Sequence, residues 1–399
     1  MVDTPWLTIV GLGEDGPDGL SPASCKALKN AEIIMGAARH LSLLPDLTGR
    51  LIPWPVPFAD GIPQLLSHRG TPTVALASGD PFWHGAGTSL SKHLSPDEYV
   101  AIPAPSTMSL AAAALGWPLE KTLTFGLHAA SFATLRPHLH PGQNLLATLR
   151  DGTAFSDLAT YLTDLGFGAS TLHVLEALGG PRQRIRTTTA STLNDTDIQH
   201  PVSVGIEVAG DGHTIPLATG RPDTLFENDG QITKRPVRAL TLSALAPRPG
   251  EHLWDIGGGS GSIAIEWLWS HPSTQATVIE IDPTRTERIA SNAANLGVHR
   301  LAVVTGSAPD ALKNLTPPDA VFIGGGINRD MLTTVWAALP AGARLVANAV
   351  TLEAETLLMN WHADKGGDLM RIDIALSNPL GRKRGWKHSY PIVQWSVSK

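Results

Sequence analysis

The sequence predicts an α/β protein of two domains, each built from short buried strands that alternate with helices. Short runs of Val, Ile, Leu and Ala, typical of strands buried on both faces, recur along the 399 residues. The chain contains 39 glycines and 31 prolines, which separate these runs as tight strand–helix connections do. A glycine-rich turn follows one predicted strand in each half, around Gly11 and around Gly257.

Composition narrows the classes of function. A net charge of −6 gives nucleic-acid binding no overall electrostatic support. The single cysteine, Cys25, excludes a disulfide framework and fits a reducing compartment. The N-terminus lacks the basic and apolar segments of a signal peptide, and no apolar run approaches the ~18 residues of a membrane span. We therefore expect a cytoplasmic protein.

The first half begins with a glycine motif whose context argues against a dinucleotide site. Strands are predicted over Leu7–Val10, Ala31–Met35, Thr73–Ala77, Tyr99–Ile102, Leu123–Phe125, Leu145–Leu149, Leu172–Leu175 and Val202–Val208. The first strand runs into Gly11-Leu12-Gly13-Glu14-Asp15-Gly16, which satisfies G-x-G-x-x-G. The next helix begins only after a further loop, with Ser21 as N-cap and Pro22 as its first residue. Such a loop cannot deliver a tight turn directly onto a helix N-terminus.

Two further turns follow predicted strands in this half. Ser78-Gly79-Asp80-Pro81 comes after the third strand, and residues 103–108 lead into a helix predicted over Ser109–Leu115. Both turns lie at carboxyl ends of strands, where open α/β sheets bind ligands. Taken alone, Gly79-Asp80-Pro81 is more typical of an ordinary turn than of a ligand site.

Together these segments resemble the tetrapyrrole (corrin and porphyrin) methylase family. The matching segments are Thr8–Gly13, Ser78–Pro81, Pro105–Thr107 with Leu115-Gly116-Trp117, and Glu176–Arg182. The resemblance implies two α/β subdomains over about residues 5–210, with S-adenosylmethionine folded between them. It also implies that the cofactor is held by Leu12, Gly13, Gly79, Asp80, Ser106 and Thr107.

The strand pattern lapses over residues 211–222, which we predict to be a linker. The predicted domains are therefore residues 1–210 and 223–399. In the second domain a helix is predicted over Ala239–Leu245. Strands follow over Leu253–Ile256, Thr277–Ile281, Ala302–Thr305, Ala320–Ile323 and Arg344–Ala349, with late β segments over Leu369–Leu376 and Pro391–Val397. Only a loop separates the two late segments, so five strand–helix units plus a hairpin predict a seven-stranded sheet.

The turn at residues 257–261 organises the second domain. It follows a strand and precedes an apolar helical pattern over Ile263–Trp269. Glycines at 257, 259 and 261 let the backbone approach a ligand where any Cβ would collide. Glu280 ends the next strand, and an ionised carboxylate there can accept hydrogen bonds from both hydroxyls of a ribose.

This glycine turn has three possible interpretations: a dinucleotide site, an S-adenosylmethionine site, or a turn without a ligand. A dinucleotide site requires G-x-G-x-x-G, but here the last glycine comes one residue early and Ser262 occupies the expected position. G-x-G-x-G preceded by Asp255 favours a nucleoside with an amino-acid tail, which is S-adenosylmethionine. A glycine turn without a ligand is the third interpretation, and Glu280 argues against it.

The second half resembles the decarboxylating precorrin methyltransferases of cobalamin biosynthesis. The matching segments are Pro222-Asp223 with Phe226, Thr233 with Val237-Arg238, Asp255–Gly261, Gly306–Pro309, Gly324–Gly326 and Val346–Glu353. This resemblance implies a Rossmann-like methyltransferase fold. It also implies a cofactor site formed by Gly257, Gly258, Gly259, Ser260 and Gly261 at the methionine, Glu280 at the ribose, Ser307 and Ala308 at the adenine, and Thr233 closing over it.

Both halves in one chain resemble the precorrin-6Y C5,15-methyltransferase (decarboxylating) family. The resemblance implies two S-adenosylmethionine molecules per chain and a precorrin-6 substrate that is converted to precorrin-8. The first domain would methylate C5, while the second would methylate C15 and decarboxylate the C12 acetate. Relatives of both halves self-associate, so we expect a homo-oligomer. A corrinoid-binding or carrier protein without catalysis is the alternative function.

Several assignments stay open at this point. Residues 381–387 carry four cations around Trp386 in a predicted loop, which would either bind substrate carboxylates or be an ordinary solvated loop. Lys234, Arg235 and Arg238 form a comparable cluster. Glu353 is either a proton donor or a helix-start acid. No catalytic residue is assigned, and the scattered histidines predict no metal site.

Overall fold

The computed structural model describes residues 5–192 and 197–399, which form two compact units. The first unit comprises residues 5–132 and 138–213, and the second comprises residues 133–137 and 214–399. The division between His213 and Thr214 falls within the predicted linker, residues 211–222. The assignment of one reaction to each domain stays a prediction.

The first unit is built from two sheets. Its strands are β1 (Leu7–Leu12), β2 (Ile33–Gly36), β3 (Arg50–Pro53), β4 (Thr73–Ser78), β5 (Tyr99–Ile102), β6 (Leu123–Gly126), β7 (Asn144–Thr148), β8 (Thr171–Glu176), β9 (Arg184–Thr189) and β10 (Val202–Glu207). Its helices are α1 (Pro22–Asn30), α2 (Ala38–Ser42), α3 (Gly61–Leu66), α4 (Ala86–Leu90), α5 (Thr107–Leu115) and α6 (Gly152–Asp164). All eight strands predicted for this half are present, with ends shifted by at most two residues.

The order of the strands places the loops of this unit. The first sheet is parallel, with the order β3-β2-β4-β1-β5, and the second is mixed, with the order β6-β7-β10-β8-β9. In β1 and β4 the register pairs Leu12 with Ser78, so the loops that follow these strands start side by side. The edge strands β3 and β9 were not predicted, because β3 has only four residues and ends in a proline, and β9 is rich in polar residues.

Serine caps mark the starts of helices α1 and α5 in this unit. Ser21 caps α1 by accepting a hydrogen bond from the Ser24 N–H, and Pro22 is the first helical residue, which confirms the predicted start. Ser106 caps α5 in the same way through the Ser109 N–H. Helix α5 therefore begins at Thr107, two residues before the prediction.

The second unit contains a seven-stranded sheet, as predicted. Its strands are β11 (His252–Ile256), β12 (Gln275–Glu280), β13 (Leu301–Thr305), β14 (Ala320–Ile323), β15 (Arg344–Ala349), β16 (Asp368–Ile372), β17 (Ala375–Leu380), β18 (Lys383–His388) and β19 (Ile392–Ser398). Its helices are α7 (Arg235–Leu245), α8 (Ser262–Ser270), α9 (Pro283–Asn295), α10 (Arg329–Ala338) and α11 (Leu352–Lys365). The sheet order is β13-β12-β11-β14-β15-β19-β16, and β19 runs antiparallel to both neighbours. Within the described ranges, no helix is long and apolar enough to cross a membrane.

The late β segments differ from the prediction. The strand predicted over Leu369–Leu376 is broken, because β16 ends at Ile372 and β17 pairs with β18 in a separate two-stranded hairpin. The segment predicted as a loop, residues 381–387, supplies the tight turn of this hairpin and most of β18. Its run of cations and glycines lacks the apolar alternation that predicts a strand, so only the pairing with β17 reveals it.

Much of the predicted linker is an integral part of the second unit. Ile215 is 2% exposed and belongs to the hydrophobic core beside β11. The N–H groups of Gly220 and Arg221 donate to the carboxylate of Glu266, at 2.8 and 2.9 Å. This segment is held through its backbone and not by an apolar repeat, so its sequence resembles a linker.

A buried charge network surrounds Glu266 of α8. Arg238 of α7 donates from Nε to Oε1 at 2.7 Å, and Arg221 donates from Nη1 to Oε2 at 3.2 Å. Glu266 and Arg238 are completely buried, and Arg238 also reaches Asp223 Oδ1 at 3.0 Å. The network ties the segment before α7 to two helices of the core.

We predict that Glu266→Gln destabilises the second unit by ~3–5 kcal/mol, because it leaves buried Arg221 without a counter-charge and buried Arg238 with only Asp223. Urea unfolding followed by tryptophan fluorescence measures the change. Glu287→Gln, on the exposed face of α9, is the matched control and should leave stability unaltered. A loss below ~1 kcal/mol in Glu266→Gln would contradict this prediction.

Candidate active sites

In the first unit, three loops meet backbone to backbone at the carboxyl ends of β1, β4 and β5. A Cβ added to Gly11 would lie 2.0 Å from the Gly79 oxygen and 2.5 Å from the Ala104 nitrogen. Gly79 has a φ of +52°, and its N–H donates to the Leu12 carbonyl at 2.9 Å. Only glycine fits at Gly11 and Gly79, so these loops approach each other as closely as backbones can.

The three loops line a cavity of about 560 Å³, a size suited to a small-molecule ligand. Leu12, Gly13, Gly79 and Thr107 line this cavity, as the resemblance implies for cofactor-binding residues. The other two predicted residues shape the loops instead. Ser106 caps α5, and Asp80 Oδ1 accepts a hydrogen bond from the Phe82 N–H at 2.8 Å.

The same cavity is also lined by Glu14, Arg39 and His40, which were not predicted as site residues. Glu14 is 7% exposed and forms ion pairs with Arg39 and with Arg182, whose Nη2 lies 3.0 Å from Oε2. His40 Nε2 lies 2.9 Å from Ser78 Oγ. Burial, and then the charge of Arg39, lower the pKa of His40 to about 4, so the ring is neutral at pH 7. Arg39 and His40 follow the carboxyl end of β2, and that position was the signal available in the sequence.

In the second unit, the turn between β11 and α8 forms the floor of a cavity. Gly257, Gly259 and Gly261 have φ values of +75°, +58° and +75°, which explains the spacing of the glycines. A Cβ on Gly258 would lie 2.1 Å from Val278 Cγ1, so this glycine is required by packing. The Gly257 N–H donates to the Ile279 carbonyl at 2.9 Å and joins the turn to β12.

Glu280 links this turn to the end of β12. Its Oε2 accepts a hydrogen bond from the Gly259 N–H at 2.9 Å. Its Oε1 accepts from the N–H groups of Ile281 and Asp282, at 3.0 and 3.2 Å. Each carboxylate oxygen has two lone pairs, so Oε2 keeps acceptor capacity for a ligand hydroxyl. The residue is 4% exposed and lines the cavity, which suits a ribose contact.

This second cavity has a volume of about 690 Å³. It brings together most of the predicted cofactor residues, namely Thr233, Gly257, Gly258, Gly259, Glu280, Ser307 and Ala308. Ser260 and Gly261 do not line it. The Ser260 carbonyl accepts a hydrogen bond from Asn292 Nδ2 at 3.0 Å, and Gly261 caps α8.

Asn292 of α9, which was not predicted from the sequence, joins two segments next to the cavity. The residue is 4% exposed, and its Oδ1 and Nδ2 bind the backbone N–H and carbonyl of Glu227, both at 2.9 Å. Nδ2 also donates to the Ser260 carbonyl of the glycine turn. One buried amide therefore joins the turn to the segment that carries Thr233.

The other polar residues singled out from the sequence lie in different environments. Arg238 is committed to the buried network, and Arg235 Nε donates to the Gly220 carbonyl, whereas Lys234 lines the second cavity. Glu353 is an exposed residue in the first turn of α11 and does not line the cavity, so its helix-start interpretation is favoured. In the described part of the chain, no group of three or more His, Cys, Asp or Glu residues is arranged to hold a metal ion.

Asp255, at the end of β11, is a buried carboxyl behind the glycine turn. Its Oδ2 accepts a hydrogen bond from the Ala264 N–H at 3.1 Å, while Oδ1 has no partner among the described residues. Burial raises the pKa of Asp255 to about 7, and the negative charge of Glu280 adds to the effect. The protonated form is therefore substantially populated near neutral pH.

Comparison with known proteins gives a match along nearly the whole chain. Residues 6–194 match the family model of tetrapyrrole (corrin/porphyrin) methylases, and residues 224–399 match the model of the precorrin methyltransferase domain. A protein named precorrin-6Y C(5,15)-methyltransferase (decarboxylating), from Sinorhizobium sp, is 49% identical over 99% of this chain and 97% of its own length. These matches confirm the fold class and both resemblances predicted from the sequence.

Two shorter relatives match parts of the chain. A protein named cobalt-precorrin-6B C(15)-methyltransferase (decarboxylating), from Salmonella typhimurium, is 31% identical over 42% of this chain and 89% of its own length. The crystal structure of the C-terminal domain of precorrin-6Y C5,15-methyltransferase from Rhodobacter capsulatus has 52% sequence identity and a TM-score of 0.45. It covers 46% of this chain and 100% of that chain.

We predict that Glu280→Ala lowers methyl-donor affinity at the second cavity by roughly 10- to 100-fold, because a charge-assisted hydrogen bond contributes ~1.5–3 kcal/mol. Titration calorimetry with S-adenosylmethionine measures this affinity. Glu287→Ala is the matched control. Unchanged affinity in Glu280→Ala would show that this carboxylate does not contact the ligand.

A second prediction concerns pH. The pKa of Asp255 is raised from its ordinary value of 3.8 to about 7, so the folded state binds more protons than the unfolded state between these values. Stability from this group is therefore complete below about pH 4 and is lost as pH rises toward 7. In Asp255→Asn the free energy of unfolding should fall less than in the parent between about pH 5 and pH 8. Equal slopes in urea-unfolding series would refute the assignment.

Proposed function

Because the chain belongs to the precorrin-6Y C(5,15)-methyltransferase (decarboxylating) family, we propose that it methylates a precorrin-6 tetrapyrrole at C5 and C15 and decarboxylates its C12 acetate, giving precorrin-8. The chain is an S-adenosylmethionine-dependent C-methyltransferase of cobalamin biosynthesis. The observation that carries the finer proposal is the presence of a separate ligand-sized cavity in each unit. Self-association and a cytoplasmic location stay predictions from the sequence.

Each unit would bind its own S-adenosylmethionine. In the first, backbone packing at Gly11 and Gly79 leaves a cavity bordered by main chain, where a ligand can be held by main-chain groups. In the second, Glu280 offers acceptor capacity beside the open turn at Gly257–Gly259. Both cavities therefore fit a nucleoside with a polar tail, and two cofactor molecules per chain is our proposal.

The division of the reactions follows the two units. C5 methylation is assigned to the first unit, and C15 methylation with decarboxylation to the second. The name of the shorter Salmonella typhimurium relative supports this, because it combines C(15) methylation and decarboxylation in a protein that matches 42% of the chain. The separate family matches over residues 6–194 and 224–399 support it further.

The reactions assigned to the second unit require little general acid–base catalysis from the protein. When bound, S-adenosylmethionine supplies an electrophilic methyl group on sulfur, and its thioether leaves without protonation. The side chains and turn around the cavity align the reacting carbon and exclude water. Electrons released by decarboxylation pass into the conjugated tetrapyrrole, so the chain has to orient the acetate group.

Cations beside the second cavity would bind the carboxylates of the tetrapyrrole. Lys234 lines the cavity and has no ion pair with any described residue, so its ammonium group is available. Arg382, Lys383, Arg384 and Lys387 on the β17–β18 hairpin also have no ion pairs with described residues, and the exposed Tyr390 beyond the hairpin lines the cavity. We propose that this hairpin extends the carboxylate-binding surface, because cations without protein partners bind anions most readily.

We predict that calorimetry with S-adenosylmethionine saturates at two sites per chain and that Glu280→Ala weakens only one of them. At a limiting methyl-donor concentration, Glu280→Ala should give a product that lacks the C15 methyl and retains the acetate carboxyl group. Mass spectrometry of the product from a precorrin-6 substrate identifies both groups. Loss of the C5 methyl instead would contradict the division of the reactions.

A further inference from the structure

The loop after β4 holds a histidine in an unusual backbone conformation. His84 has a φ of +55°, a region that residues other than glycine rarely occupy. Hydrogen bonds within the loop hold it there: Trp83 N–H donates to the Asp80 carbonyl at 3.2 Å, and Gly87 N–H donates to the Pro81 carbonyl at 2.9 Å. The Asp80 carboxylate adds a bond to the N–H that follows Pro81. Backbone strain fixed in this way is characteristic of functional loops.

The ring of His84 is positioned by the second sheet of the same unit. It packs against Gly126 at the end of β6, where an added Cβ would lie 3.2 Å from ring atoms Cγ and Nδ1. The backbone of Thr124 lies close enough to the ring to influence its pKa. One loop therefore carries both Gly79, at the cofactor cavity, and an imidazole whose orientation is set by β6. His84 lines that cavity and is also exposed.

The ring is neutral at neutral pH. Burial, followed by the neighbouring His128, lowers the pKa of His84, while the Thr124 backbone opposes the shift. In a neutral imidazole one nitrogen donates and the other accepts a proton. The neutral ring of His84 therefore keeps one nitrogen that can accept a proton.

Other imidazoles of this cavity are less suited to accept a proton. His40 Nε2 lies 2.9 Å from Arg39 Nη2, and since a guanidinium can only donate, the lone pair of that nitrogen is engaged. Burial, followed by the charges of Arg39 and Arg182, lowers the pKa of His200. His84 has no arginine among the groups that shift its pKa.

We propose that the imidazole of His84 accepts the proton released by methylation in the first unit. The proposal rests on the proposed function. When a methyl group moves from a sulfonium to a ring carbon that bears one hydrogen, a C–C bond forms, an S–C bond breaks and the thioether leaves uncharged. The C–H electron pair returns to the conjugated ring, and the proton goes to the free nitrogen of His84. From this exposed ring the proton passes to solvent.

The test is His84→Asn in the full chain, because asparagine tolerates the left-handed conformation and removes the base. The C5 methylation rate should fall by ~10²- to 10⁴-fold, the usual contribution of a general base. The affinity for S-adenosylmethionine, measured by calorimetry without substrate, should stay unchanged. Added imidazole should restore part of the rate. His93→Asn, on the exposed turn after α4, is the matched control.

A spectroscopic measurement tests the same residue without turnover. The ring proton signal that disappears from the NMR spectrum in His84→Asn should titrate below the ordinary pKa of ~6.5 in the free parent protein. A titration above that value overturns the assignment, because the ring would then be largely charged.

Four results separate this inference from the proposed function. An unchanged C5 methylation rate in His84→Asn, or a rate loss explained by weaker donor binding, overturns the assignment of His84 alone. The same holds if His128→Asn loses the C5 methyl while His84→Asn does not. A parent product without a C5 methyl overturns the proposed function, and the role of His84 with it.

Discussion

Close packing of backbone at the carboxyl ends of parallel strands is the constraint on which both cavities depend. Gly11 and Gly79 touch through main-chain atoms in the first unit, and Gly258 lies against Val278 in the second. Any side chain at these positions would push the loops apart. Gly79 and Gly258 also line the two cavities, so this close packing places main-chain groups at the cavity surfaces.

The two units support these loops with different polar interactions. In the second unit, buried Glu280 and Asn292 bind backbone next to the cavity, and the Glu266 network fixes the segment before α7. In the first unit, the charge of Glu14 is balanced by Arg39 and Arg182, and both Glu14 and Arg39 line the cavity. Buried charge therefore supports the surrounding structure in the second unit, whereas in the first unit an ion pair lines the cavity.

The two units also differ in the groups near each cavity that can exchange protons. The first cavity is lined by neutral imidazoles, including His40 and His84, which suit a reaction that releases a proton from carbon. The second has the buried carboxyl of Asp255 behind its floor, which shapes stability and does not line the cavity. In the second reaction loss of CO₂ supplies the electrons, so a protein base has less to do.

The sequence by itself determined the fold class, the two glycine turns and the strands that precede them, because buried parallel strands and positive-φ glycines leave strong local patterns. Glycines that the sequence indicates as cofactor residues, such as Gly79 and Gly257, line the two cavities. The sequence did not predict the edge strands β3 and β9, the β17–β18 hairpin or the role of residues 214–222, whose partners are distant in sequence.

Only the tertiary structure decided which polar residues reach the cavities. Arg238 and Lys234 look equivalent in sequence, yet the first is buried against Glu266 and the second lines the cavity. Asp80, predicted to contact the cofactor, does not line the cavity, and its carboxylate accepts a hydrogen bond within the loop that carries His84. The physical reason is that a local pattern fixes where the backbone turns, whereas the environment of a side chain depends on elements that only folding brings beside it.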